Sequence, residues 1–361
     1  MTDEAVLDLG VIRALHAPRV GPKMARLGQL ASAGWRVPDG YVVTAGVLDE
    51  WLPLAARAEL ARLLAAEKAH DLTWLADQAR QLVEDQPLPA WLAEAVGAAH
   101  ERLRARTGLA AVLRVAVRSS AVTEDGLGAS FAGQLGTYLG IRDPDDVLRH
   151  IRKCWASGYT AWALSYRMRH GLPLESRDLA VGVMQLVDAR TAGVVFTLDP
   201  ITGDRGRLIV EANWGFGESV VSGQVTPDYW AVERRSGRIL ERREGTKDVW
   251  SVLDETAGAA SSRVVLMPLP AELARVPCLS DEEVRYICEK AAELEEAEGV
   301  PQDVEWAIAR DLDFPDCVFF LQHRPETTWS AAPAVPDQTP PAKAFDPVQY
   351  ALRNVFKVPG T

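Results

Sequence analysis

Residues 117–138 read V-R-S-S-A-V-T-E-D-G-L-G-A-S-F-A-G-Q-L-G-T-Y. The β-branched residues Val112, Val115 and Val117 predict a strand that delivers Arg118. A small polar pair follows, and Gly126, Gly128, Gly133 and Gly136 then keep the backbone loose. Main-chain N–H groups of such a loop can close on an anion without a Cβ in the way. An arginine at the strand exit adds a planar, permanently charged fork for phosphoryl oxygens. A glycine-rich surface turn has the same composition, so glycine content alone leaves both readings open.

Outward toward the N-terminus, residues 21–45 predict a helix, a turn and a strand. Pro22 suits a first helical position, Leu27 and Leu30 recur on one face, and Gly34 stops the helix before a strand at 41–44. Lys23 therefore sits at a helix N-terminus. A cation there opposes the macrodipole unless an anion lies between them, so Lys23 reads either as a phosphate ligand or as a solvated surface lysine. Residues 48–106, rich in Ala, Leu, Glu and Arg, predict two or three packing helices without chemistry, with His70 and His100 at the surface or its boundary.

Beyond the glycine loop, Asp143 and Pro144 form an N-cap and first turn. The helix they start carries Trp155, Tyr159, Trp162 and Tyr166 at spacings of three and four, a pattern of core packing. Residues 179–187 predict a strand and residues 193–197 start another. Glu211 is expected to leave a strand, with Gly215 and Gly217 loosening a turn before Glu218 opens a short helix. A strand pair at 229–232 and 238–242 leads to a polar connection bearing Lys247. Ser280 and Glu283 form a capping box, and that helix runs to about Glu298 before Gly299 and Pro301.

Residues 302–309 and 317–324 both alternate, with 311–316 as the connecting turn. Antiparallel pairing then sets Glu305 near Gln322 and Asp303 near Arg324, while Val304, Trp306, Ile308 and His323 take the other face. Two carboxylates, an amide and a guanidinium on one face suit triphosphate chemistry. Mg²⁺ takes oxygen ligands and keeps several positions for water and phosphate, and arginine neutralises charge as phosphate leaves. A salt-bridge ladder on a solvated face is the competing reading of the pattern.

The order R-S-S-A, E-D, A-S-F-A-G-Q, T-Y resembles the nucleotide-binding half of the phosphoenolpyruvate synthase and pyruvate phosphate dikinase family. The stretch 193–227, with G-V-V-F-T-L-D-P-I-T-G and E-A-N-W-G-F-G-E, resembles that family's second signature. The likeness covers about residues 10–330. Where the family has a proline and acidic residues around the loop, this chain has Gly126, Leu127, Gly128, Leu135 and Gly136.

The resemblance implies an α+β ATP-grasp fold, two lobes with nucleotide between them. It places an N-terminal lobe at 1–190 and a C-terminal lobe at 191–329, ahead of a Pro/Ala linker and docking tail at 330–361. It also implies ATP and Mg²⁺ as cofactors. Lys23, Arg118 and Arg324 take catalytic roles, and Lys23, Arg118, Gly133, Thr137, Gln185, Val187, Glu211 and Asp303 bind the nucleotide. Glu305 and Gln322 hold the metal. Main chain at Gln185, Leu186 and Val187 is expected to read the adenine edge.

Composition bounds the rest. The chain has 361 residues, 48% of them hydrophobic, with a net charge of -11, which argues against nucleic acid or an anionic membrane as its main partner. Four cysteines without a C-x-x-C and no signal-like start imply a cytoplasmic protein. No T-S-H-type carrier motif occurs among the six histidines. The expectation is an ATP-binding subunit of a dikinase-like phosphotransferase. Its partner subunit carries the phosphohistidine swivelling domain, and phenol is the favoured acceptor, as in phenylphosphate synthase. A pyruvate, water dikinase, an antibiotic phosphotransferase and a non-catalytic nucleotide-binding regulator are the alternatives.

Overall fold

Short β-branched runs separated by amphipathic helices build two antiparallel sheets. The computed structural model describes residues 5–65, 71–109, 113–122, 136–175, 178–254 and 264–329. Val112, Gly126, Gly128, Gly133, His70 and the segment 330–361 lie outside the described residues. Residues up to Leu186 form one compact unit, and Val187–Leu253 with Val264 onward form a second.

In the first unit, strands β1 (Val6–Asp8), β2 (Gly40–Val43), β3 (Val115–Ala121), β4 (Thr137–Ile141) and β5 (Leu179–Gln185) make a sheet of order β1-β2-β5-β3-β4. Helix α1 (Ala17–Ser32) lies with this sheet, as do α2 (Gly46–Trp51), α3 (Leu54–Ala65), α4 (Leu72–Glu84), α5 (Ala90–Thr107), α6 (Pro144–Ala156) and α7 (Ala161–Arg169). The core joins Val115, Val117, Val181 and Val183 of the sheet to Leu75, Leu92, Ile151 and Trp155 of the helices. Trp155 stacks on Trp51 with ring centroids 4.8 Å apart.

Four local expectations are corrected. The described residues of 48–106 belong to four helices, and His100 is buried, edge-on to Tyr41. The aromatic series is not on one helix: α6 ends at Ala156, a 3₁₀ turn holds Tyr159, and α7 carries Trp162 and Tyr166. Strand β3 continues to Ala121, so Arg118 lies within the strand instead of at its exit.

The second unit is a six-stranded sheet of order β13-β12-β6-β7-β8-β9. It is built from β6 (Ala189–Phe196), β7 (Arg207–Trp214), β8 (Asp228–Glu233), β9 (Ile239–Arg243), β12 (Gln302–Ala309) and β13 (Val318–Pro325). A lobe boundary after residue 190 would cut into β6, which belongs whole to this sheet. A two-stranded ribbon, β10 (Val249–Leu253) and β11 (Val264–Pro268), stands beside it, with the short helices α8 (Glu218–Val221) and α9 (Ala271–Ala274).

Helix α10 (Asp281–Glu298) starts at the Ser280/Glu283 capping box and ends at Gly299, with φ 73°. Its stripe of Val284, Ile287, Ala291 and Leu294 packs toward β6, β7, β8 and β12, which leaves the opposite sheet face to other groups. Lys247 lies on the polar connection between β9 and β10, but its side chain is buried, its Nζ donating to Asp228 Oδ1 and, at 3.0 Å, to the carbonyl of Val276.

Candidate functional site

In the first unit the start of α1 is set by Gly21. Its φ of 74° breaks the helical path, so the regular helix begins at Pro22 and Lys23 stands in its first turn. The turn lies hard against β3: a Cβ on Gly21 would sit 2.2 Å from Ser120 Oγ and 2.8 Å from the Ser120 carbonyl oxygen. Met24 packs over Gly182 of β5, where a Cβ would meet its Sδ at 2.4 Å.

Gly182, Arg118 and Thr137 form one cross-strand row, and Ser120 shares the face of Arg118 by alternation. One face of this sheet therefore gathers the helix start bearing Lys23, Ser120, half-buried Arg118 and exposed Thr137. Gln185 ends β5. Its N–H donates to Asp39 O at 2.7 Å and that of Leu186 to Arg114 O at 2.8 Å, so these two donors are committed within the protein. Val187 follows them as the first residue of the second unit and is buried.

In the second unit the hairpin pairs as the alternation predicts, Asp303 with Arg324, Val304 with His323 and Glu305 with Gln322. Gln322 Nε2 donates to Glu305 Oε1 at 3.3 Å, and Arg324 Nε donates to Asp303 Oδ2 at 3.1 Å. Burial pushes the Asp303 carboxyl up to about 6, although Arg324 pulls the other way. The remaining oxygen, Asp303 Oδ1, is buried without a hydrogen-bond partner. His323 is buried on the other face, with Nδ1 3.0 Å from Gln302 Oε1.

The row continues across the sheet through Val194 to Glu211, Tyr229 and Arg243. Glu211 lies inside β7 and does not leave it. Burial raises its carboxyl to about 7, against the pull of Arg243, whose guanidinium stacks 3.8 Å from the centre of the Tyr229 ring. The Tyr229–Arg243 stack has no signature in the sequence, because it depends on the register of β8 against β9. Between these polar groups Val194, Phe196, Ile209 and Ala231 form an apolar platform.

The donor chemistry fits a hard divalent cation. Glu305 supplies a carboxylate, Gln322 an amide oxygen, and the orphaned Asp303 Oδ1 a further acceptor on the same face. Among the described residues no group of three or more His, Cys, Asp or Glu side chains is arranged around one metal position. Also among them, no helix is long and apolar enough to cross a membrane.

Two antiparallel sheets, one presenting cations beside a helix start and the other paired carboxylates, constitute an α+β fold of the ATP-grasp class. Residues 17–343 match the family described as pyruvate phosphate dikinase, AMP/ATP-binding domain, and the chain belongs to that family. It is 37% identical over 337 residues to a probable phosphoenolpyruvate synthase of Staphylothermus marinus, covering 86% of this chain and 40% of the relative. A phosphoenolpyruvate synthase of Aeropyrum pernix is 33% identical over 368 residues, covering 95% and 45%. A rifampicin phosphotransferase of Streptomyces sviceus is 36% identical over 345 residues, covering 94% and 37%. The chain thus spans less than half the length of these relatives.

Proposed function

We propose that this chain is the ATP-binding component of a dikinase-like phosphotransferase. ATP bound with Mg²⁺ passes its pyrophosphoryl group to a carrier histidine on a partner polypeptide: the bond between the β-phosphorus and the oxygen bridging it to the α-phosphorus breaks, AMP leaves, and a nitrogen–phosphorus bond forms. Water then releases Pi, and the remaining phosphoryl group moves to the acceptor, freeing the histidine.

The observation that carries this reading is the hairpin, where Glu305 meets Gln322 and Asp303 meets Arg324 on one face. Mg²⁺, when bound, neutralises phosphate charge. Lys23 and Arg118 hold phosphoryl oxygens with Gly133 and Thr137, and Glu211, Gln185 and Val187 contribute to binding the nucleoside. Arg324, held by Asp303, stabilises the charge that develops on transfer. His323 cannot serve as the carrier from its buried position on the other face, which supports a histidine supplied in trans.

Phenol is the acceptor we favour, with pyruvate and a rifamycin-type antibiotic as the alternatives that the relatives' names suggest. The acceptor enters only in the last step. Mixing the chain and Mg-ATP with the carrier polypeptide should give AMP and a phosphohistidine on the partner by mass spectrometry, before any acceptor is added. A stoichiometric phosphohistidine on this chain, formed without a partner, would overturn the division of labour.

A further inference from the structure

Among the described residues the ribbon β10–β11 has one closed edge and one open edge. On the β10 side, the Phe216 N–H donates to Ser251 O at 2.9 Å, so that edge is occupied. On the β11 side, no further strand of the described residues pairs. Just past the strand, the Leu269 N–H donates to Asp248 O at 2.9 Å, which fixes the phase: odd-numbered residues of β11 turn their backbone groups to β10. Val264, Leu266 and Pro268 therefore direct theirs outward.

The side chains are as unprotected as the backbone. Leu266 is 46% exposed and Met267 48% exposed, and the strand V-V-L-M-P carries no charge. Edge strands are ordinarily blunted by charged side chains, and β9 shows that device with Glu241, Arg242 and Arg243. β11 has only Pro268, at its end.

We infer that β11 is a self-association edge through which two copies of this chain pair antiparallel about a two-fold axis at Leu266. The occupant follows from complementarity. With Leu266 opposite Leu266 of the second copy, the two residues exchange both N–H···O bonds. Val264 then faces Pro268, and the Val264 N–H meets the Pro268 carbonyl, the one backbone group that proline can offer. Val265 and Met267 oppose each other, so the joined strands add apolar neighbours and bring no like charges together. A two-fold axis repeats every contact and closes the pair, and Pro268 stops the ladder from extending. An interface of five residues per strand is far below the standard size of about 1,600 Å², so the dimer is weak and concentration-dependent.

Sedimentation of the full chain up to roughly 100 μM should show a reversible monomer–dimer equilibrium. Because residue 266 meets itself, Leu266→Lys alone and Leu266→Glu alone should each raise the dissociation constant at least about tenfold, and an equimolar mixture of the two should dimerise again. Circular dichroism establishes that both variants are folded. A wild type that stays monomeric at the highest concentration, folded single variants that dimerise as well as wild type, or a mixture that does not recover would each overturn the proposal.

Discussion

Glu305 and Gln322 face each other across β12 and β13, joined by a 3.3 Å hydrogen bond from the amide nitrogen to Oε1. Glu305 is held from both sides, because β12 also pairs with β6 and sets Glu305 opposite Val194, while Gln322 lies on the edge strand β13. A site on the middle residues of two paired strands keeps its geometry without help from loops.

Glu305→Ala and Gln322→Ala should each weaken ATP binding by about tenfold or more in the presence of Mg²⁺, and much less in its absence. Isothermal titration calorimetry with and without Mg²⁺ measures both. An equal loss under the two conditions would remove the metal role from the pair.

Arg324→Ala should behave differently. Its charge matters most as the transferring group moves, so nucleotide affinity stays within a few-fold while phosphohistidine formation on the carrier slows by about 10²–10³. Rapid-quench measurement of AMP release in the reconstituted system reads the rate. Normal turnover in the variant would exclude the assigned role.

Gly21→Ala should cost about 1–3 kcal/mol of stability, since it forces an L-residue to φ 74° and drives a Cβ to 2.2 Å from Ser120 Oγ. Displacement of the turn also shifts Lys23, so ATP affinity should fall. Thermal unfolding and calorimetry on the same preparation test the two effects, and a variant with wild-type stability would show that the turn relaxes freely.

Glu211 gives a pH signature. Burial raises its carboxyl from the ordinary 4.5 to about 7, so between these values the folded chain holds a proton that the unfolded chain has released. Its contribution to stability is thus lost as pH rises toward and past 7, and no penalty remains below about 4.5. Glu211→Gln, which cannot ionise, should gain stability relative to wild type on going from about pH 5 to about pH 8 in urea denaturation without nucleotide. A difference that stays constant with pH would mean that Glu211 is solvated like a surface carboxylate.

Much of the β12–β13 hairpin is legible in the amino-acid sequence itself. Alternation at 303–305 and 322–324 is enough to set Glu305 opposite Gln322, because the period of a strand is two, but a β-bulge between Glu305 and Trp306 shifts the register so that Trp306 faces Phe320 and Ile308 faces Val318, which alternation does not contain. The same local logic reaches the capping box at Ser280 and the helix start at Pro22, where side-chain and ring geometry act within a few residues. The family signature adds the ATP-grasp class to these local readings.

What only the tertiary structure decided depends on neighbours distant in sequence. Glu211 is inside β7 because β6 and β8 pair on both its sides, and its raised carboxyl follows from that burial. Lys247 stands on a polar loop that reads as solvated until Asp228, nineteen residues away in sequence, and the Val276 carbonyl close around its side chain and bury it. The aromatic series breaks across α6 and α7 while Trp155 stacks on Trp51, a contact that helical spacing does not contain. Periodicity and caps are properties of a short segment and survive in the sequence. Burial, register between distant strands and the charge state of a buried carboxyl arise only when those segments pack.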